Sequence, residues 1–186
     1  MYADGMALTA QFSMADTARK PPGRRMDEAA FEAFYRRTSS SLWAYIQRLT
    51  GDRAAADDLL QKTYFRFLRA NPVFADDEHA RRWIYRTATN LVFDHFRETK
   101  RDRERQSAFV RDDSRSDSSE LRHDMMRIFG ELKPRERALL WLAHVEESDH
   151  EEIGEALGVK AKSVKVLLFR ARKRLAELLT KRGLKP

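Results

Sequence analysis

Apolar residues recur at three- and four-residue steps through most of this chain. The first run follows Met26, and its apolar members are Phe31, Phe34, Tyr35, Leu42, Tyr45, Ile46 and Leu49. A helix brings residues at that spacing onto one face, whereas a strand needs alternation at every second residue. The sequence contains no strand-like alternation of useful length and no internal repeat. The spacing therefore predicts an all-α protein.

A polar stretch divides the helical pattern into two parts. It covers residues 103–119, includes "QSAFVRDDSRSDSS", and is rich in Ser and Asp. A segment of this composition has too little apolar surface to pack, so it is typical of a flexible linker. We expect two small helical domains, at 26–102 and 120–186, and a flexible N-terminal tail at 1–25 that ends in "KPPGRR".

Short-range signals predict the ends of the first helices. Asp52 is expected to cap the second helix. Asn71 is expected to end that helix, because a residue that precedes a proline, here Pro72, disfavours the helical region. A long helix should follow at roughly 78–103, where helical spacing resumes.

The C-terminal half carries its own capping signals. Pro134 suits the first position of a helix, where the missing N–H costs nothing. Ser148 to Glu151 forms a capping-box pattern, and Gly158 stands where a C-cap glycine belongs. The last helix is expected to run from about Ala161 to Thr180.

Basic residues are concentrated at the C-terminal end. The whole chain of 186 residues has a formal net charge of +7 and is 35% charged. Residues 160–186 contain ten Lys or Arg and one acid, Glu177. Such a local block of cations favours a polyanionic partner, nucleic acid above all.

Several classes of site are excluded by composition. The chain has no cysteine, which rules out disulfides and thiolate metal sites and favours a reducing, cytoplasmic compartment. Its histidines, at positions 79, 95, 123, 144 and 150, form no cluster with acids at ligand spacing, so we expect neither metal nor cofactor. Because no apolar run approaches the roughly 20 residues of a membrane span, we expect no membrane insertion and read no signal peptide. With neither a glycine-rich phosphate loop nor a nucleophile elbow, we expect no enzyme activity.

The last two helices have the pattern of a helix-turn-helix. On a helical wheel, the outer face of the final helix carries Lys162, Lys165, Val166, Phe169, Arg170 and Lys173, opposite an aliphatic face. A short helix, a glycine turn and a basic second helix suit insertion into the major groove of DNA. The alternative is an ordinary solvated face on a helical hairpin.

Three regions of the chain, in their order along it, resemble the bacterial RNA polymerase sigma factors of the sigma-70 family, in particular the two-domain extracytoplasmic-function (ECF) class. "LKPRERALL", "EEIGEALGV" and "SVKVLLFRARKRL" resemble the domain that reads the −35 promoter element. "AAADDLLQKTYFRFLR" resembles the region that grips the clamp helices of core polymerase, and "ARRWIYRTATNLVFDHFR" the region that melts and reads the −10 element.

The resemblance, which covers about residues 27–182, implies a detachable specificity subunit that binds core RNA polymerase and promoter DNA, duplex at −35 and single-stranded at −10. It also implies an anti-sigma factor as a candidate partner. The rival hypothesis is a stand-alone helix-turn-helix regulator that binds duplex operator DNA without polymerase.

Residues on the second helix are the candidates for binding core polymerase. They are Asp57, Asp58, Leu59, Gln61, Thr63 and Phe65. The two carboxylates would complement basic clamp helices, although acids in the first turns of a helix also favour its dipole. The family usually has an acid where Lys62 stands. Phosphorylation of Thr63 is a hypothesis by which negative charge could be restored there.

The long third helix carries the candidates for the −10 element. They are Trp83, Arg86, Asn90, Asp94, Arg97 and Arg101. Exposed aromatic rings stack on bases, while cations follow the backbone. The alternative for Trp83 is packing against a neighbouring helix. In the family a loop before this helix captures a flipped base, and it corresponds here to about Asn71–Ala80, which contains the acidic "ADDEH".

The recognition helix carries the candidates for the −35 element. Lys162, Ser163 and Lys165 suit phosphate contacts, whereas Val166 and Phe169 could touch a thymine methyl group. Further along the same helix, two more cations, Arg170 and Lys173, complete the predicted set. The promoter sequence itself does not follow from these residues.

Overall fold

Seven helices and two very short strands make up the described part of the chain. The structure is a computed structural model that describes residues 23–105 and 120–184. The elements are, in order, β1 (Arg24–Arg25), α1 (Glu28–Thr50), α2 (Arg53–Ala70), β2 (Val73–Phe74), α3 (Asp77–Arg105), α4 (Glu120–Glu131), α5 (Pro134–His144), α6 (His150–Leu157) and α7 (Ala161–Lys181). We call residues 23–105 the N-terminal module and residues 120–184 the C-terminal module. The predicted all-α class is confirmed.

Side-chain caps set the ends of α1 and α2. Asp27 accepts a hydrogen bond from the backbone N–H of Ala30 at 2.9 Å and so begins α1. Asp52 does the same for α2, accepting from Ala54 N at 2.8 Å, as the sequence predicts. Asn71 ends α2 in the left-handed conformation, at φ 39°, which Asn tolerates better than most residues because its short polar side chain bonds locally.

The end of the predicted N-terminal tail is paired rather than free. Arg24 and Arg25 of β1 lie opposite Phe74 and Val73 of β2 in an antiparallel pair. A Cβ on Gly23 would lie 2.5 Å from Cγ1 of Val73, so glycine allows the close approach. The prediction of a free tail to residue 25 is therefore wrong at its last residues, because two-residue strands are too short to produce a periodic pattern.

Helix α3 is longer than its pattern predicts. It continues to Arg105, past the predicted linker start at residue 103. Its last residues are mostly Arg and Glu, which are good helix formers without any apolar periodicity. The rest of the predicted linker, 106–119, and most of the predicted tail, 1–22, lie outside the described residues.

The C-terminal module begins its helices almost where expected. Pro134 opens α5, and Gly158 ends α6 with φ 63°. The capping box of α6 is one residue later than predicted, because Asp149, not Ser148, accepts from the backbone of the first turn while Glu152 accepts from Asp149 N. The backbone N–H of Ser148 donates instead to the carbonyl of Leu142, at 2.9 Å, which closes the α5–α6 loop.

Glycine also allows the sharp junction between α6 and α7. A Cβ on Gly154 would lie 2.8 Å from the carbonyl oxygen of Val159. A larger residue would push α7 away, so this glycine lets the two helices cross closely. The result is the helix-turn-helix that the sequence predicts.

The main hydrophobic core is continuous through both modules. It includes Ile84 and Tyr85 of α3 together with Leu142 of α5 and Ile153 of α6. A smaller cluster holds α4 and α7 onto α5 and contains Ile128, Leu132, Leu140, Ala171 and Leu178. The sequence predicts two domains joined by a linker, whereas the structure docks them against each other along α3.

Candidate functional site

The outer face of α7 combines free cations with exposed apolar side chains. Val166 is 50% exposed and Phe169 is 67% exposed. Lys162, Lys165, Arg170 and Lys173 are also exposed, and none of them forms an ion pair with an acid of the described residues. A surface of this kind attracts a polyanion and offers apolar contacts within it.

The opposite face of α7 holds the helix in place. Val164, Leu168 and Ala171 are buried, as the helical wheel predicts. Ser163 is half-buried and therefore less accessible than Lys162 and Lys165 beside it. The two faces together present the cations on one rigid element.

The outer face of α3 has a second set of polar side chains. Arg86, Asn90, Arg97 and Arg101 are exposed, whereas Asp94 is half-buried. Asp94 forms an ion pair with Arg97 one turn later, so part of the positive charge is offset.

Trp83 combines the two alternatives that the sequence left open, an exposed ring and a ring packed against a neighbouring helix. It is half-buried. Its ring meets Phe67 edge-on, with centroids 5.4 Å apart, and Phe74 at 6.4 Å. The indole therefore packs on α2 and β2 and is also partly exposed.

A groove beside Trp83 brings in cations that sequence reasoning missed. It has a volume of about 470 Å³ and is lined by Arg66, Arg69, Ala70, Trp83, Thr87 and Asn90. Arg66 and Arg69 come from the end of α2 and lie one turn apart. Their three-residue spacing on the polar side of α2 is the only sequence signal, and their closeness to α3 is decided by packing.

The acidic loop before α3 has its charges engaged within the fold. Asp76 accepts from the backbone N–H of His79 at 2.7 Å and starts the helix. Asp77 pairs with Arg37 of α1 at 2.5 Å. Glu78 lies 3.5 Å from Arg81. The acids of "ADDEH" therefore serve capping and packing, which explains their presence beside a cationic surface.

The exposed side of α2 carries carboxylates that already have partners. Oδ1 of Asp57 accepts from the indole Nε1 of Trp43 at 2.6 Å. Oδ2 of Asp58 lies 2.6 Å from Nζ of Lys62. Gln61 and Phe65 are exposed beside them, Phe65 by 65% of its surface.

Two of the predicted α2 contacts belong to the core instead. Leu59 is 4% exposed and Thr63 is fully buried. The Thr63 hydroxyl donates to the carbonyl of Leu59 at 2.7 Å. Neither side chain is open to a partner in this conformation, and their role in binding core polymerase stays a prediction. A kinase could reach Thr63 only if α2 opened locally.

An apolar groove lies on the same side of α2. It encloses about 650 Å³, and its lining includes Phe31, Tyr35, Asp58, Leu60, Gln61, Lys62, Tyr64, Phe65 and Leu68. Leu68 is 54% exposed and was missed as a contact candidate. Burial raises the pKa of the Tyr64 phenol to about 12, although its bond with Thr38 acts in the opposite direction. Tyr64 therefore stays neutral in the groove wall at ordinary pH.

Among residues 23–105 and 120–184, His, Cys, Asp and Glu form no group that could hold a metal ion. In the same residues, no helix has the length and apolar character of a membrane span.

Family models match both modules. The model of sigma-70 region 2 matches residues 34–102, and the model of sigma-70 region 4 matches residues 122–175. The first match begins within α1 and ends near the end of α3, and the second runs from α4 into α7 and includes α6.

Curated relatives are similar over most of the chain. The chain is 30% identical over 169 residues to the ECF RNA polymerase sigma factor SigE of Mycolicibacterium smegmatis, covering 83% of this chain and 65% of that protein. It is 33% identical over 157 residues to the RNA polymerase sigma-E factor of Streptomyces avermitilis, covering 83% of this chain and 87% of that protein. The chain thus spans just under two thirds of the first relative, and the match to mycobacterial sigma-C factors spans 51% of their length.

A solved structure has a similar fold. The sigma factor RpoE of Bartonella quintana, crystallised with the anti-sigma factor NepR, matches with a TM-score of 0.68 and 20% identity, over 81% of this chain and 96% of that chain.

Proposed function

Since the chain belongs to the ECF class of the sigma-70 family, we propose that it binds core RNA polymerase and directs promoter recognition, DNA melting and transcription initiation. In this proposal residues 26–102 bind core polymerase and the −10 element, and residues 120–186 bind the −35 element. Exposed cations on α3 and α7 and an apolar groove on α2 support the division.

The observation that carries the proposal is the outer face of α7. Four exposed cations there have no acidic partner among the described residues, and they surround the exposed side chains of Val166 and Phe169. Lysines and arginines would hold phosphates and fix the register of the helix. Val166 and Phe169 would meet base edges in the major groove.

The outer face of α3 supports strand separation. Trp83 lines a groove together with Arg66 and Arg69. Aromatic rings on which bases stack, together with cations, bind single strands with little sequence preference. Asn90, Arg86 and Arg97 would follow the strand along the helix.

The groove on α2 supports binding to the polymerase. Exposed Phe65 and Leu68 provide apolar surface, and Asp57 and Asp58 provide charge for basic clamp helices. The sequence hypothesis that phosphorylation of Thr63 adds charge here stays a prediction, and its buried hydroxyl makes local opening a requirement.

We include an anti-sigma factor as a partner. Among solved structures with this fold, the sigma factor RpoE was crystallised with the anti-sigma factor NepR, and CnrH is in complex with the cytosolic domain of CnrY. We propose no catalytic activity for the chain itself, since sigma factors act as regulators of an enzyme that carries out the chemistry.

The decisive experiment combines copurification with core polymerase and run-off transcription from promoters mapped after overexpression. We expect stoichiometric binding to core and initiation at aligned start sites. The match to sigma-70 region 2 over residues 34–102 gives no support to the rival hypothesis of a stand-alone regulator. Tight binding to duplex DNA alone, without copurification or initiation, would support the rival and refute the proposal.

A further inference from the structure

The apolar groove on α2 is where the N-terminal module exposes its large apolar side chains. Three of them line the groove, namely Tyr35 at 42%, Phe65 at 65% and Leu68 at 54% exposure. A fourth, Val73 at 50%, lies on β2, five residues after Leu68. Apolar surface concentrated in this way is unfavourable in water and marks a site that another surface covers.

The lining of the groove has no net charge in the free chain. Its two charged residues, Asp58 and Lys62, form an ion pair in which Oδ2 and Nζ are 2.6 Å apart. Burial raises the pKa of Tyr64, so the phenol in the groove wall is neutral as well. A partner with apolar side chains and few charges therefore fits this surface.

The first fifteen residues of the chain have that chemistry. The segment "MYADGMALTAQFSMA" contains one charged side chain, Asp4, in a chain that is 35% charged. Leu8 and Phe12 are four positions apart, a spacing that a helical turn brings onto one face. Segments that stay solvated are usually richer in charge and poorer in large apolar residues. The larger apolar residues here are Met1, Tyr2, Met6, Leu8, Phe12 and Met14.

The strand β1 connects this segment to the chain beside the groove. Gly23 passes close to β2, and Arg24 after it lies opposite Phe74. The ring of Phe74 stacks on Phe67 with centroids 5.4 Å apart, and Phe67 meets Phe31 in the groove wall at 5.8 Å. The segment therefore joins the described structure two ring contacts away from the groove.

The chain before Gly23 is long enough to reach the whole groove. Phe12 precedes Gly23 by eleven positions, which span up to about 36 Å at about 3.3 Å per residue. Helix α2 has 18 residues and is about 27 Å long at about 1.5 Å per residue. Phe12 and Leu8 can thus lie on α2 while β1 keeps its pairing with β2.

We propose that residues 1–15 occupy the apolar groove of α2 in the free chain, with Leu8 and Phe12 against Phe65 and Leu68, and that core polymerase displaces them. Only the displacement rests on the proposed function, because the groove is the surface proposed for core polymerase. A tethered segment has a local concentration of about millimolar at its site, so a weak contact is sufficient to cover the groove.

Occupation of the groove is tested by paramagnetic broadening in the full chain. Because the chain contains no cysteine, Ser13→Cys carries a single nitroxide label. We expect the backbone amide signals of Gln61, Phe65 and Leu68 to lose intensity compared with the same protein after reduction of the nitroxide. Undiminished signals at these three positions would refute the proposal.

Substitutions within the segment test whether its apolar side chains make the contact. Adding Leu8→Ser and Phe12→Ser to the labelled chain should restore the amide signals of α2. Adding Thr9→Ser and Gln11→Ser, at polar positions of the same segment, should leave them broadened. Equal broadening in both proteins would contradict an apolar contact.

A mixing experiment identifies which copy supplies the segment. Isotope-labelled chain without the nitroxide is mixed with nitroxide-labelled chain that has no isotope label. We expect no broadening in this mixture, because the tether favours the groove of the same chain. Broadening in the mixture would show that a second copy fills the groove, and would overturn the intramolecular arrangement.

The effect on core polymerase is measured by titration with labelled core. A chain that begins at Gly23 retains every described residue and should bind about three- to tenfold more tightly, as expected if the groove is open in about 10–30% of the full chains. Leu8→Ser with Phe12→Ser should bind as the shortened chain does, and Thr9→Ser with Gln11→Ser as wild type. Weaker binding by the shortened chain would mean that the segment itself contacts polymerase, contrary to the proposal.

Failure of this proposal and failure of the proposed function give different results. If no form of the chain binds core polymerase, the proposed function fails, and the nitroxide experiment still decides whether the segment covers the groove. If every form binds core equally and no amide signal of α2 is broadened, the covering segment is refuted and the proposed function stands.

Discussion

Nζ of Lys62 lies 2.6 Å from Oδ2 of Asp58, one turn earlier on α2, and each side chain is 57% exposed. Asp57 beside it is bound by the indole of Trp43. Both carboxylates that we propose for core polymerase therefore have partners within the chain. A basic partner must compete with Lys62 for Asp58.

Replacing Lys62 should consequently strengthen binding to core polymerase. An exposed ion pair contributes about 0.2–1 kcal/mol, so we expect Lys62→Ala to tighten binding by about 1.4- to fivefold in a titration with labelled core. Arg36→Ala breaks a similar exposed pair with Glu32 on α1 and should have no effect. Weaker binding by Lys62→Ala would mean that the ammonium itself contacts the polymerase.

Negative charge at Thr63 should destabilise the fold. The side chain is fully buried, and an unpaired carboxylate there would cost several kcal/mol. We expect Thr63→Asp to unfold at much lower urea concentration than wild type, whereas Thr63→Val should lose no more than about 1 kcal/mol. A Thr63→Asp protein of wild-type stability with tighter core binding would instead favour the phosphorylation hypothesis.

Replacing Phe169 should affect DNA binding and not stability, whereas replacing its neighbour Leu168 should destabilise the fold. Phe169 is 67% exposed, so Phe169→Ala should change the free energy of unfolding by less than about 0.5 kcal/mol, yet weaken −35 binding at least about fivefold. Leu168 is 3% exposed, and Leu168→Ala should cost about 2–5 kcal/mol. Chemical denaturation and promoter footprinting give the two readouts, and equal loss of stability in both would argue against a DNA face.

Substitutions of Trp83 and Arg97 should both impair promoter opening but should differ in their effect on stability. Arg97 is exposed, so Arg97→Ala should impair promoter opening while sparing stability and core binding. Trp83→Ala should impair opening and also cost about 1–3 kcal/mol, because its ring packs on Phe67 and Phe74. Permanganate reactivity of the melted strand measures opening. If the Trp83→Ala protein opened promoter DNA normally, the indole would serve only in packing.

Stability should fall in alkaline solution partly through Tyr64. Its pKa is raised from 10.0 to about 12 in the folded chain, so the unfolded state loses the proton first as pH rises. The stabilisation that Tyr64 contributes is fully present below about pH 10 and is lost as the pH rises toward about 12. We expect Tyr64→Phe to lose stability less steeply than wild type across this interval in urea titrations. Parallel curves would contradict the raised pKa.

Helix positions and their ends were predictable because they depend on neighbours in sequence. Asp52 caps α2 and Gly158 ends α6 where expected, since capping bonds join residues only a few positions apart. The one-residue error at Ser148 has the same local origin, because Ser and Asp are both good caps and stand side by side.

The candidate site was only partly predictable. The exposed face of α7 followed from periodicity, since only one side of that helix is covered. The burial of Leu59 and Thr63 could not be read from the sequence, because it depends on how α2 packs in the core. Arg66 and Arg69 were missed because they line a groove only together with α3, which lies beside them in the fold.

The sequence by itself determined the all-α class, the order of the helices and the basic outer surface of the last one, because a period of 3.6 residues and the capping groups are local properties. Only the tertiary structure decided that the two modules dock along α3 and that Glu146 meets Arg81 there. Those residues are 65 positions apart, and contacts over such distances depend on how whole helices pack.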